Sequence, residues 1–239
     1  MNHSCEPMVV NSLYGDVTRV KPMKAVDSEL SIYYCLRSVA IGVRFPLQAR
    51  DAVTAGDVLF VEKPYASVLL QDHETTHCHH CYRSLSYPVG CRECTQVRYC
   101  SMACRDASWN SYHKYECCHL DVLYATGVAH LAFRIILMSG GNSLLEFRKT
   151  LSMESSVNNI KGCDSQGFYG NHYRSVYNLM THEEDLNVKD NFCYATSAVL
   201  LLTLLKKVSF FDTPPAGLPF SSDDITYIGV CAGKKKGSV

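Results

Sequence analysis

The stretch from Cys78 to Cys117, CHHCYRSLSYPVGCRECTQVRYCSMACRDASWNSYHKYEC, decides the fold of this chain. It places Cys78, Cys81, Cys91, Cys94, Cys100, Cys104, His113 and Cys117 within 40 residues, eight soft or borderline ligands whose number suits two tetrahedral zinc ions. A Cys-x2-Cys pair grips one ion from a tight knuckle. Cys100 with Cys104, and His113 with Cys117, are four residues apart and share a helix face. Interleaving one knuckle with one helical pair gives Cys78, Cys81, Cys100 and Cys104 for one ion and Cys91, Cys94, His113 and Cys117 for the other. Sequential pairing is the alternative. His77, His79, His80, Cys118 and His119 flank the ligands and read as surface residues.

Because protein atoms fill all eight positions, no coordination site is left for a reactive water, and the metal is expected to hold shape rather than to catalyse. Within this stretch Arg83, Arg92, Arg98, Arg105 and Lys114 face Glu93, Asp106 and Glu116, which is no DNA-binding stripe. Across the chain, Lys plus Arg balance Asp plus Glu at 23 each, so no net field draws it to phosphate backbones or acidic membranes. The 13 cysteines lack a preceding signal-like segment, which points to metal rather than disulfides and to a reducing compartment, cytoplasm or nucleus.

The apolar fraction of 47% in 239 residues supports one fair-sized core or two small ones. Before the metal stretch, short β-like runs (Met8–Val10, Val17–Val20, Leu30–Tyr34, Val58–Val61, Ser67–Leu70) alternate with turn residues such as Ala55-Gly56-Asp57. After it, Leu120, Leu123, Tyr124, Gly127, Leu131 and Ile135 recur at helical spacing, so one amphipathic helix is expected over 119–138, ending at Gly140-Gly141. Residues 152–170 and 212–222 read as loops, with helices near 173–180 and 190–210. The longest uncharged apolar run, Asn191 to Leu205, is 15 residues against the roughly 17 to 25 that span a bilayer, so a buried helix and no membrane role are expected. The fold class is α+β.

The eight-ligand spacing, with Tyr99 before Cys100, Trp109 between the helical pairs and a closing His-x3-Cys, resembles the MYND finger at every ligand position. Upstream, Gly42-Val-Arg44, Ala49-Arg-Asp51, Ala55 to Leu59 and Glu62 to Val68 look like the first strands of a SET domain. The whole resembles the SET and MYND domain-containing methyltransferases over roughly residues 39 to 228. That resemblance implies S-adenosylmethionine as cofactor, with Gly42 and Arg44 in an N-terminal contact motif, here degraded, and His182 in the helical insert. It also implies a protein or peptide partner, proline-containing for the finger or lysine-bearing for the enzyme.

The N-terminus is similar to a different part of the same fold. Asn2 to Pro7, Gly15-Asp16-Val17 and Glu29 to Tyr34 resemble the second half of a SET core, which in the family follows the insert. By that likeness Asn2 and His3 contact cofactor and Tyr34 lines the lysine channel. The implied organisation is an out-of-order SET-like segment at 1–35, SET-like strands at 36–77, the finger at 78–117, a helical insert at 118–228 and a disordered tail at 229–239. Such a chain is either a permuted enzyme or a rearranged one, and post-SET cysteines are absent after 228. Two functions follow: a lysine methyltransferase, or a zinc-stabilised interaction module beside an incomplete catalytic core.

Overall fold

The computed structural model describes residues 52, 54–58, 60–153, 171–177, 187–212 and 219–233, together with strand segments at 9–14, 17–22, 31–32 and 47–48. The chain divides into two compact units, Met1–Pro64 and Tyr65–Val239. Asn2, His3, Tyr34, Gly42, Arg44 and His182 lie outside the described residues.

In the first unit, β1 (Val9–Tyr14) and β2 (Val17–Pro22) form an antiparallel ladder running from Val9↔Pro22 to Tyr14↔Val17. β3 (Ser31–Ile32) pairs with β4 (Leu47–Gln48). β5 (Phe60–Glu62) lies antiparallel on the other edge of β2, giving the order β1-β2-β5. The segment expected to be out of order and the segment following it thus contribute to one sheet. The turn before β5 is closed by the Asp57 carboxylate, which accepts from the Thr54 N–H at 2.8 Å and hydroxyl at 2.7 Å. Gly56 there has φ +96°, a conformation that suits a residue without Cβ.

The second unit holds the ligand stretch and the helices. β6 (Val89–Gly90) pairs with β7 (Arg98–Tyr99), followed by α1 (Met102–Ser108), a π-helical turn (Trp109–His113) and α2 (Lys114–Glu116). Then come α3 (Leu120–Ala125), α4 (Ala129–Ser139), α5 (Gly141–Met153), α6 (Tyr173–Tyr177), α7 (Val188–Lys207) and α8 (Ser222–Gly233). Helix α4 packs on α8 and α7, burying Phe133, Ile136, Leu201, Leu205 and Ile228.

Several expectations change. The single helix expected over 119–138 is two, α3 and α4. Gly127, in the left-handed region at φ +57°, interrupts it between them. Its end is where expected, with Gly140 at φ +73° closing α4. Ser67–Leu70 belongs to no strand. Its Ser67 carbonyl accepts instead from the Tyr82 hydroxyl and Arg134 Nη1, each at 2.9 Å. Helices α5 and α8 occupy parts of regions read as loop or tail, α5 running to Met153 and α8 to Gly233.

Helix α7 is not the buried helix expected. It begins at Val188, and at 20 residues it is long and apolar enough to cross a membrane by length and composition alone. Only Leu201, Leu204 and Leu205 are buried, while Val188, Phe192 and Val199 are 84%, 71% and 67% exposed. Packing against α8 and α4 reaches only its C-terminal turns. Asn187 caps its start in a reciprocal box: its side chain accepts from Asp190 N–H at 3.0 Å and its own N–H donates to Asp190 at 3.2 Å.

Candidate metal centre

Each ligand pair is held by a local device. Cys78 and Cys81 sit on a knuckle where Cys78 N–H donates to the Arg83 carbonyl at 2.8 Å and Tyr82 N–H donates back to the Cys78 carbonyl at 2.9 Å. Tyr82 takes φ +58° to close it. Cys91 and Cys94 occupy the loop of the β6–β7 hairpin, with Cys91 N–H donating to the Val97 carbonyl at 3.3 Å. Cys100 follows β7, and Cys104 lies in the first turn of α1, its N–H donating to the capping Ser101 hydroxyl at 3.2 Å. His113 ends the π-helical turn and Cys117 follows α2, with Cys117 N–H donating to the His113 carbonyl. A widened turn aims a side chain that regular α geometry would place elsewhere.

These devices bring together two quartets, Cys78–Cys81–Cys100–Cys104 and Cys91–Cys94–His113–Cys117, with the ligand atoms of each within 4.8 Å of one another. The convergence follows the interleaved arrangement rather than the sequential one. Tetrahedral zinc with Zn–S of about 2.3 Å and Zn–N of about 2.0 Å separates two sulfurs by roughly 3.8 Å and a sulfur from a nitrogen by roughly 3.5 Å. Cys81 Sγ is 3.5 Å from Cys100 Sγ, which is 3.5 Å from Cys104 Sγ, and Cys94 Sγ is 3.5 Å from His113 Nε2. The donor set fits the metal.

The electrostatics point the same way. Burial, with the neighbouring Cys100 and Cys78 thiols adding, pushes the Cys81 thiol up to about 12, and burial likewise raises Cys94, Cys104 and Cys117. Burial also acts on Cys91 and Cys100, but hydrogen bonds from their neighbours outweigh it and lower both. Each quartet thus mixes a thiol that ionises readily with thiols that need a cation to compensate the thiolate. Burial lowers His113 to about 4, so its imidazole is neutral near pH 7 and has a lone pair for a metal. Tyr99, fully buried beneath the second quartet, keeps its hydroxyl 3.1 Å from Ser108 Oγ, and Trp109 meets the His113 ring edge-on at 6.0 Å between centroids.

Four charged or polar residues form a buried cluster beside this centre, and the ligand spacing alone did not reveal them. Glu116, between His113 and Cys117, is 0% exposed and Arg134 of α4 is 1% exposed. Arg134 donates to both Glu116 oxygens, Nε at 2.7 Å and Nη2 at 2.6 Å, and lies 3.5 Å over the Tyr112 ring centroid. His130 Nε2 is 3.1 Å from Glu116 Oε1. His79, read from sequence as a surface residue, is 1% exposed. Its Nε2 is 3.9 Å from Glu116 Oε2, an ion-pair separation too long for a hydrogen bond. Burial by itself raises the Glu116 pKa, but the Arg134 charge and the hydrogen bonds from His130 and Arg134 outweigh it and hold the carboxylate well below its usual range. A sequence signal existed: His130 and Arg134 are four residues apart on one face of an amphipathic helix.

Residues 78–117 match the MYND finger family model. With converging cysteine and histidine quartets, this is a zinc-binding protein of the MYND-finger class. The flanks extend the likeness. The chain is 28% identical over 204 residues to protein-lysine N-methyltransferase SMYD4 of Gallus gallus, covering 67% of this chain and 28% of that protein. Human protein-lysine N-methyltransferase SMYD4 is 27% identical over 177 residues, 61% of this chain and 22% of its own length. A SET and MYND domain-containing protein of Dictyostelium discoideum is 27% identical over 93 residues, 39% of this chain and 7% of its own. The finger and these relatives together support the SET and MYND domain-containing family. It spans under a third of the length of these relatives.

Proposed function

We propose that the chain works as a protein-docking module built on two zinc ions, one held by Cys78, Cys81, Cys100 and Cys104 and the other by Cys91, Cys94, His113 and Cys117. The observation that carries it is the pair of closed quartets: every ligand position is filled by protein, so the metal organises a surface and leaves no coordination site for substrate. Its partner is a protein or peptide. Metal analysis of the purified chain should read two zinc ions, with Cys94→Ser and Cys104→Ser each reading one fewer. A value of one in the unsubstituted chain would overturn the two-ion reading.

The relatives' names favour a second activity for the protein of which this chain is all or part, S-adenosylmethionine-dependent protein-lysine methylation. On that reading Asn2, His3, Gly42, Arg44 and His182 contact cofactor and Tyr34 lines the lysine channel. The transfer needs amine and sulfonium aligned in line from opposite mouths of a dry channel. Calorimetric titration of S-adenosylmethionine into the zinc-loaded chain tests it. Binding that is lost in His182→Ala and in Asn2→Ala supports a methyltransferase core, and no binding to the parent chain leaves the docking module alone.

A further inference from the structure

The buried cluster joins two elements that the sequence separates. Glu116 is three residues beyond His113 and immediately precedes Cys117, so its backbone is fixed by the two ligands of the second quartet that flank α2. Arg134 and His130 project from α4, the helix that packs against α7 and α8. Arg134 engages both carboxylate oxygens, stacks on Tyr112 and donates to the Ser67 carbonyl, while the Tyr112 hydroxyl donates to the His79 carbonyl at 3.1 Å. Among the described residues the first quartet has no fully buried charged residue placed in this way: Cys100 precedes α1 and Cys104 lies in its first turn, and α1 packs on β6 and β7.

We propose that Glu116 and Arg134 form a clasp through which zinc occupancy of the Cys91–Cys94–His113–Cys117 quartet sets the order of helix α4, so that one of the two ions serves the helical region as well as the finger. A buried guanidinium is held only while its carboxylate stays in place, because an unpaired buried charge is strongly unfavourable. When the ion leaves, α2 loses the ligands that fix its ends, Glu116 is displaced, and Arg134 withdraws toward water, taking the α4 face with it. The inference rests on the two-zinc reading above.

Hydrogen exchange of residues 129–139 in the full chain tests it. Cys94→Ser should lose one ion and raise exchange there by at least about tenfold over Cys104→Ser, which loses the other ion. Glu116→Gln should keep both ions yet raise exchange in the same helix. The paired variant Glu116→Gln/Arg134→Met, which removes both charges together, should keep α4 protected even when a chelator strips the zinc. Loss of an ion in Cys94→Ser with α4 protection unchanged would overturn the clasp. So would an α4 in the paired variant that opens with chelator as fully as in the parent. Retention of both ions by Cys94→Ser would sink the ligand assignment itself, a separate failure visible in the metal count.

Discussion

The finger and the helical region that follows it are stabilised by opposite means. In the finger most of the buried side chains are ligands or ligand neighbours: Cys78, His79, Cys81, Val97, Tyr99, Ser108, Tyr112, His113, Glu116 and Cys117. Forty residues cannot bury enough apolar surface to offset their conformational entropy, so the ions supply most of the folding free energy, on the order of 10 kcal/mol or more per structural zinc. The helical region has no metal cluster among its described residues, and buries Leu120, Leu123, Phe133, Ile136, Leu144, Leu201, Leu205 and Ile228 instead. One region therefore depends on a ligand that can be removed, the other on contacts that cannot. The seam between them buries an ionic group, Glu116 with Arg134, alongside apolar contacts such as Tyr115 against Phe210.

The sharpest way to separate the two is to damage the apolar side. Phe133 is fully buried in α4, where its contribution is packing. Phe133→Ala should cost about 3–5 kcal/mol, through lost transfer free energy and a residual cavity. Denaturant unfolding followed by helical circular dichroism should show the lowered midpoint, while zinc content after gel filtration stays at the parent value because the ion's contribution exceeds the loss. Zinc loss on the scale of a ligand substitution would mean that the apolar contacts joining the two regions, rather than the ions, carry the finger's stability.

The finger was legible in the sequence because metal ligation imposes residue type and spacing locally, a Cys-x2-Cys knuckle and pairs four apart, although Cys100 precedes α1 and Cys117 follows α2, so neither pair shares the face of one α-helix as expected. The clasp was not. Glu116 and Arg134 are 18 residues apart, and a charged residue on a surface helix reads as solvated until tertiary packing shows the face buried. Likewise the periodicity across 119–138 is genuine on both sides of Gly127, and only the backbone at φ +57° reveals that the helix stops there and restarts. The burial of α7 was misjudged for a related reason. An apolar composition states what a helix is able to bury, and α8 and α4 cover only its C-terminal turns. The SET-like residues Asn2, His3, Tyr34, Gly42, Arg44 and His182 remain a reading of resemblance, outside the described residues.

A smaller effect probes how α7 is supported where nothing described covers it. Its first turns expose Val188 and Phe192, so their order comes from the Asn187–Asp190 capping box and helix propensity rather than from packing. Asn187→Ala removes the side chain that accepts from Asp190 N–H and should cost about 1 kcal/mol. The loss should fall locally, as faster hydrogen exchange over the first turns of α7, while the turns around Leu201 and Leu205, anchored on α8 and α4, keep their protection. Uniform loss along the whole helix would mean that the cap and the buried turns form one cooperative unit. No change at the N-terminal turns would mean that a contact other than the cap holds them. In either case the dependence on local chemistry argued for this end of the helix would be wrong, and the contrast with its buried end would need a different physical cause.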